Sequence, residues 1–178
     1  DSAIPAVRRG SRLDRARRIY RWVIDNVNDG NDTFALAPHI LSARSGNRAR
    51  LLAWLLRQAD VPATIALVRD VSEDHTPTEM ASAETYHALL VRIETEPGVR
   101  WVWTANRGAP FGYVPAALRG EDALVLRSGS FRDRVPPSAE DADARRVQVQ
   151  IQLEPNGAAA LVVRETYRGA GAVGWRDI

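Results

Sequence analysis

Apolar residues recur every three or four positions along an early segment of the chain, which is the spacing of an amphipathic helix. The recurring residues are Leu13, Ala16, Tyr20, Val23, Ile24 and Val27. Ser11 followed by Asp14 is a start of the capping-box kind, and Asn28-Asp29-Gly30 supplies an end. The pattern therefore predicts a first helix between these two signals.

A second strong helix is predicted from about Asn47 to Gln58. Its apolar residues lie nearly all round the helix: Leu51, Leu52, Ala53, Trp54, Leu55 and Leu56. A helix of that kind is buried and does not lie on a surface. A shorter helix is predicted over Ala37 to Ala43, closed by a Ser45-Gly46 turn.

After the second helix the apolar period changes to two, which is typical of strands. The predicted strands cover Ala63 to Arg69, His87 to Ile93, Val99 to Trp103 and Asp122 to Arg127. A polar loop over residues 70–84 separates the first two. Helices followed by hairpin-linked strands predict an α+β domain in which the N-terminal helices pack on an antiparallel sheet.

The C-terminal part alternates again along residues 147–153 and 161–165, with a hairpin turn at Asn156-Gly157. We predict a first domain over residues 1–127, a linker over 128–146 and a β-rich segment over 147–178. That segment is a β-hairpin or a fragment of a β-sandwich. Because a lone hairpin is marginally stable in water, we expect it to pack on the first domain or to belong to a larger module.

The composition excludes several kinds of chemistry. The chain of 178 residues contains no cysteine, which rules out disulfides, thiolate metal sites and cysteine catalysis. No cofactor and no metal are expected, because the spacing of His39, His75 and His87 with Glu73 or Asp74 matches no known ligand pattern. No apolar run reaches the length of a membrane span, so no transmembrane segment is expected.

All 24 basic residues are arginine, and the net charge is +2. Seven of them crowd the N-terminal end, where Asp14 is the only acid among them: Arg8, Arg9, Arg12, Arg15, Arg17, Arg18 and Arg21. Such a cluster could face phosphates or anionic lipid, but the solvated face of an amphipathic helix is the favoured interpretation. Nucleic acid is not an expected partner, because Trp22, Trp54, Trp101 and Trp103 fall within apolar patterns.

Several segments in this order resemble the transglutaminase-like (papain-like) superfamily of bacteria. The run from Arg44 to Leu56, then Val61-Pro62-Ala63, resembles the start of its core, where a Gly-Cys or Gly-x-Cys step opens a buried helix. Tyr86-His87-Ala88 resembles its His-Ala step at the start of a strand. Residues 110–112 and 118–120 resemble the end of such domains in large multi-domain proteins. The resemblance covers about residues 12–127 and implies a transglutaminase-like core.

The resemblance also implies a triad of thiolate, histidine and orienting acid, and it assigns these positions to Asn47, His87 and Trp103. Asn47 cannot form a thiolate, but asparagine is among the best N-cap residues. The indole of Trp103 only donates hydrogen bonds, so Asn106 is the nearest polar substitute for the orienting residue. For His87 the favoured interpretation is a buried, hydrogen-bonded core residue.

We therefore predict a catalytically inactive domain that binds a peptide or protein segment in the degenerate cleft between Asn47 and His87. The resemblance implies a setting within a larger bacterial protein, in the cell envelope or periplasm. The chain begins without an initiating methionine, and we expect it to be a fragment. The alternative is an active hydrolase or acyltransferase in which a hydroxyl near His87, such as that of Ser45, replaces the thiol.

Overall fold

The computed structural model describes residues 9–30, 35–73, 75, 85–137 and 143–176. Within these ranges the chain is an α+β protein of four helices and nine strands. The elements are α1 (Arg12–Asn26), β1 (Asn28–Asp29), α2 (Ala37–Ala43), β2 (Ser45–Gly46), α3 (Arg48–Gln58), β3 (Ala63–Arg69), β4 (Tyr86–Thr95), β5 (Gly98–Val102), β6 (Asp122–Val125), β7 (Phe131–Arg134), β8 (Ala144–Leu153), β9 (Ala159–Arg168) and α4 (Ala170–Arg176).

The main sheet has five antiparallel strands in the order β5-β4-β3-β6-β7. Alternate side chains of β4 divide the core into two layers. Val91 and Ile93 pack with the helices, whereas Leu90 packs with Trp101 and Leu118 on the opposite side of the sheet. The sheet is therefore buried on both faces, and the helices lie on one of them.

Both long helices begin where the sequence predicts. The Ser11 hydroxyl accepts a hydrogen bond from the Asp14 N–H at 3.1 Å and donates one to the Asp14 carboxylate at 2.6 Å. The Asn47 side chain caps α3, and the leucines at 51, 52 and 56 are fully buried. The predicted capping signals and the buried character of α3 are confirmed.

The structure differs from the predicted elements in several places. The predicted linker over residues 128–146 contains β7, which pairs with β6, and the first residues of β8. β7 has a single apolar residue, Phe131, so its sequence shows no strand period. The third predicted strand ends at Val102, one residue before Trp103. Finally, α4 was not predicted, because its seven residues include two glycines.

The β8–β9 hairpin forms a separate two-stranded sheet. One face of it is apolar and exposed: Val147, Val149, Ile151, Leu153, Leu161 and Val163 are 46% to 77% accessible. Asp143, at the base of the hairpin, accepts hydrogen bonds from the Arg119 guanidinium and from the Ala170 N–H. These bonds hold the base of the hairpin, and most of the length of both strands is exposed to solvent.

Among the helices that the structure describes, none has the length and apolar character needed to cross a membrane.

Candidate functional site

A cleft of about 200 Å³ lies where α3 begins, beside the first residues of β4 and the segment that follows β5. Its lining consists of Asp29, Gly30, Asn47, Ala49, His87, Leu89, Trp103, Thr104 and Ala105. All three positions of the implied triad, Asn47, His87 and Trp103, therefore lie around the same cleft. They come from three separate parts of the sequence.

Asn47 is held by its side chain and by the residue before it. Its Oδ1 accepts a hydrogen bond from the backbone N–H of Arg50 at 2.9 Å, which is the N-cap geometry. Gly46 has a φ of +134°, and a Cβ atom there would lie 2.9 Å from a side-chain carbon of Ile40. Only glycine fits this close approach, so Gly46 determines how the chain enters α3.

Asp29 is a functional candidate that the sequence reasoning missed. Its Oδ1 accepts a hydrogen bond from the Arg48 N–H at 3.2 Å, at the first turn of α3. The residue as a whole is exposed, and the bond from Arg48 holds its carboxyl group against the first turn of α3. Burial raises the pKa of this carboxyl, and the hydrogen bond from Arg48 and the charge of its guanidinium partly oppose that shift.

The pairing of β1 with β2 brings Asp29 to the cleft. These two-residue strands are parallel, with Asn28 opposite Ser45 and Asp29 opposite Gly46. The sequence showed Asn28-Asp29-Gly30 only as a helix end. A pairing of two residues has no periodicity, so no signal in the sequence could have revealed it.

The side chain of Arg48 links the chain segments that surround the cleft. The residue is 2% exposed. Its guanidinium donates to the carbonyl of Val27 at 2.7 Å and to the carbonyl of Thr104 at 3.1 Å. One buried side chain therefore joins the end of α1, the start of α3 and the segment after β5.

His87 is not the buried core residue that we expected. Its side chain is 43% exposed, and its Nε2 lies 3.0 Å from Oε2 of Glu73. On the face of β4 to which His87 belongs, the fully buried residues are Val91 and Ile93, farther along the strand. His87 stands near the start of the strand, where that cover ends, so the imidazole is open to the cleft and to solvent.

Trp103 is held mainly through its backbone. Its carbonyl accepts a hydrogen bond from the Tyr20 hydroxyl at 3.2 Å, and its N–H donates to the Tyr113 carbonyl at 3.3 Å. Its ring packs in part against the core layer on the side of the sheet away from the helices. Val91 pairs with Val102, so the side-chain alternation places Thr104, and not Trp103, on the helix side with His87.

The other two candidates lie elsewhere. Oδ1 of Asn106 accepts a hydrogen bond from the Gly108 N–H at 2.7 Å, and Asn106 does not line the cleft. Ser45 is exposed in β2 and does not line it either. Over the described ranges, no serine or threonine hydroxyl is hydrogen-bonded to the imidazole of His87.

The described residues contain no group of three or more His, Cys, Asp or Glu side chains arranged to hold a metal ion. The cleft contains one carboxyl group of raised pKa, an imidazole paired with a carboxylate, and the apolar surface of Leu89. These groups can accept and donate hydrogen bonds to a ligand, but they include no thiol.

Comparison with known proteins supports the mixed fold. No protein-family model matches the chain, and no curated protein matches it significantly. A crystal structure from Parabacteroides distasonis, described as that of a "putative protease", superposes with a TM-score of 0.54 at 14% identity. The match covers 79% of this chain and 30% of that one. At this identity the similarity shows the fold alone.

Proposed function

We propose that this chain contains a transglutaminase-like core that has lost acyl transfer, and that its cleft binds an extended peptide or protein segment. The observation that carries the proposal is at the start of α3. There side-chain oxygens of the protein accept two of the N–H groups: Oδ1 of Asn47 accepts that of Arg50, and Oδ1 of Asp29 accepts that of Arg48. In this proposal the domain acts within a larger bacterial protein of the cell envelope.

The occupied N–H groups argue against acyl transfer. That reaction needs a nucleophile activated at a helix N-terminus and free donors for the oxyanion that develops. Asn47 supplies no nucleophile, and the Asp29 carboxylate adds negative charge beside the place where both a thiolate and an oxyanion would form. Each of these two residues opposes the chemistry separately.

The shape and lining of the cleft favour part of a longer ligand. Its volume of about 200 Å³ is below the range of roughly 300–1,000 Å³ that is usual for small-molecule sites. It has room for one side chain and the backbone beside it. The carboxyl groups of Asp29 and Glu73 favour an amide-bearing or positively charged side chain, and Leu89 supplies an apolar surface beside it.

The test is a direct binding measurement with defined peptides. Peptides selected from a displayed random library on the purified chain would be labelled and titrated by fluorescence anisotropy. We expect His87→Ala to weaken binding at least tenfold. His39→Ala is the matched control, because that histidine is exposed on α2 and does not line the cleft. Equal losses in both variants would contradict binding in the cleft.

A second measurement separates this proposal from the hydroxyl-nucleophile alternative. Hydrolysis of p-nitrophenyl acetate and incorporation of dansylcadaverine into casein would be assayed with the same preparation. We expect neither to exceed the rate without protein. Turnover that disappears in both Ser45→Ala and His87→Ala would overturn the pseudoenzyme and support the alternative.

A further inference from the structure

The outer edge of β5 presents backbone groups that the sheet does not use. Thr95 pairs with Gly98 across the two-residue turn between β4 and β5, so Gly98, Arg100 and Val102 direct their N–H and C=O groups toward β4. The intervening residues, Val99 and Trp101, must direct theirs outward.

A contact one position farther along supports this assignment. Trp103 is two residues after Trp101, so its backbone groups also point away from β4. Its N–H donates a hydrogen bond to the carbonyl of Tyr113 at 3.3 Å. The segment around Tyr113 thus binds the outward backbone N–H at the end of this edge. The outward backbone groups of Val99 and Trp101 lie before it along the same edge.

A cavity of about 350 Å³ lies along this edge. Its lining includes Trp101, Val114, Val135, Pro136 and Pro137, with Arg100 and Arg119. It is separate from the cleft at α3, because the two cavities share no lining residue. Its volume falls within the range usual for ligand sites, so an extended segment with apolar side chains has space beside β5.

Within the described residues, the unpaired charge at this edge is that of Arg100, because the guanidinium of Arg119 pairs with Asp143. Arg100 is exposed and has no ion-pair partner in the described part of the chain. The nearby acids are engaged. Glu94 pairs with Arg92 at 2.8 Å, and the carboxylate of Glu96 accepts the N–H of Arg12 at 2.9 Å, which ties the arginine-rich helix α1 to the turn before β5.

From these observations we infer that the edge of β5 is a second binding site, which accepts an extended acidic protein segment as a sixth strand of the main sheet. The segment's backbone pairs with Val99 and Trp101. Its apolar side chains pack on the wall formed by Trp101 and Val114, and its alternate acidic side chains lie beside Arg100. This inference does not rest on the function proposed for the cleft.

The experiment uses a capped heptapeptide in which valine and glutamate alternate, titrated into the 15N-labelled chain and followed by NMR. A peptide with lysine in place of glutamate is the comparison. We expect the glutamate peptide to shift the amide signals of Val99 and Trp101 and to slow their hydrogen exchange. The lysine peptide should bind at least tenfold more weakly.

Two variants test the geometry. Val99→Pro removes an outward N–H that β4 does not use, so the fold should survive while the Kd rises at least tenfold. Val99→Thr keeps the N–H and is the matched control. Arg100→Glu should reverse the preference from the glutamate to the lysine peptide. This variant still tests the site if the proline variant fails to fold.

The inference would be overturned by failure of the glutamate peptide to bind at millimolar concentration, or by an unchanged Kd in a folded Val99→Pro variant. Signal shifts confined to β8 and β9, or to the residues of the α3 cleft, would also overturn it, because they would place the peptide elsewhere.

Discussion

Asp29 and Arg48 are joined by a hydrogen bond of 3.2 Å from the backbone N–H of Arg48 to the carboxylate of Asp29, at the first turn of α3. This bond puts a carboxylate where a thiolate of the transglutaminase kind would need positive potential. In the function proposed above, the absence of a nucleophile at Asn47 is thus accompanied by an unfavourable charge in the same cleft, and the two can be tested separately.

The first prediction concerns a thiol restored at position 47. Asn47→Cys should leave the chain folded, with a loss of about 1 kcal/mol for the weaker cap. Its thiol should react with iodoacetamide only at an ordinary rate while Asp29 is ionised, because the adjacent negative charge disfavours the thiolate. Adding Asp29→Asn should lower the thiol pKa and raise the alkylation rate at neutral pH.

The control for that experiment is Asp25→Asn in the Asn47→Cys background. Asp25 is a partly exposed carboxylate on α1 that pairs with Arg21 and does not line the cleft. An increase that is equal in the Asp25 and Asp29 variants would show a general charge effect. No increase in either would mean that Asp29 does not act on position 47.

The second prediction concerns acid stability through Glu96. Its carboxylate accepts the N–H groups of Arg12 and Leu13 at the start of α1, and these hydrogen bonds lower its pKa below the ordinary 4.5. A lowered folded-state pKa gives stability that is present above the unfolded-state value and is lost as the pH falls through the folded-state value.

Urea unfolding of the wild type and of Glu96→Gln, from pH 7 downward, measures this contribution. The wild type should be the more stable above about pH 5, and the difference should close as the carboxylate is protonated. A difference between the two proteins that is the same at every pH would show that the ionised carboxylate is not responsible.

The third prediction concerns the buried guanidinium of Arg48. Arg48→Met removes the donors to the carbonyls of Val27 and Thr104 and should reduce the free energy of unfolding by about 2–5 kcal/mol, since each buried acceptor loses its partner. Arg48→Lys should recover only part of it, because an ammonium group lacks the planar fork that reaches both carbonyls. Chemical denaturation checks both variants.

Arg21→Met is the reference for Arg48→Met, because the Arg21 side chain is 79% exposed in its pair with Asp25. It should change the free energy of unfolding by less than about 1 kcal/mol. A loss for Arg48→Met no larger than that of the reference would mean that Arg48 does not hold the walls of the cleft together.

The fourth prediction compares the same substitution in the core and on the hairpin. Ile93 is fully buried between the sheet and the helices, and Ile93→Ala should cost about 2–5 kcal/mol. Ile151 is 61% exposed on β8, and Ile151→Ala should cost less than about 1 kcal/mol. Equal costs in thermal or urea unfolding would show that the apolar face of the hairpin is covered in solution.

Local signals in the sequence were sufficient for the elements that depend on neighbouring residues. Ser11 and Asn47 predict the starts of α1 and α3, because a cap acts within one turn of its own helix. The alternation along β4 and the hairpin strands predicts that strands lie there, although not their ends, because successive side chains of a strand point to opposite faces. The sequence by itself therefore determines these features and the α+β class that follows from their order.

The cleft required the tertiary structure. The sequence could nominate Asn47, His87 and Trp103, but the folded chain alone shows that they share one cavity with Asp29, which the two-residue pairing of β1 with β2 brings there. It also decides that His87 is open to solvent and pairs with Glu73. Contacts between residues far apart in the chain depend on how whole elements pack, and no local pattern encodes that packing.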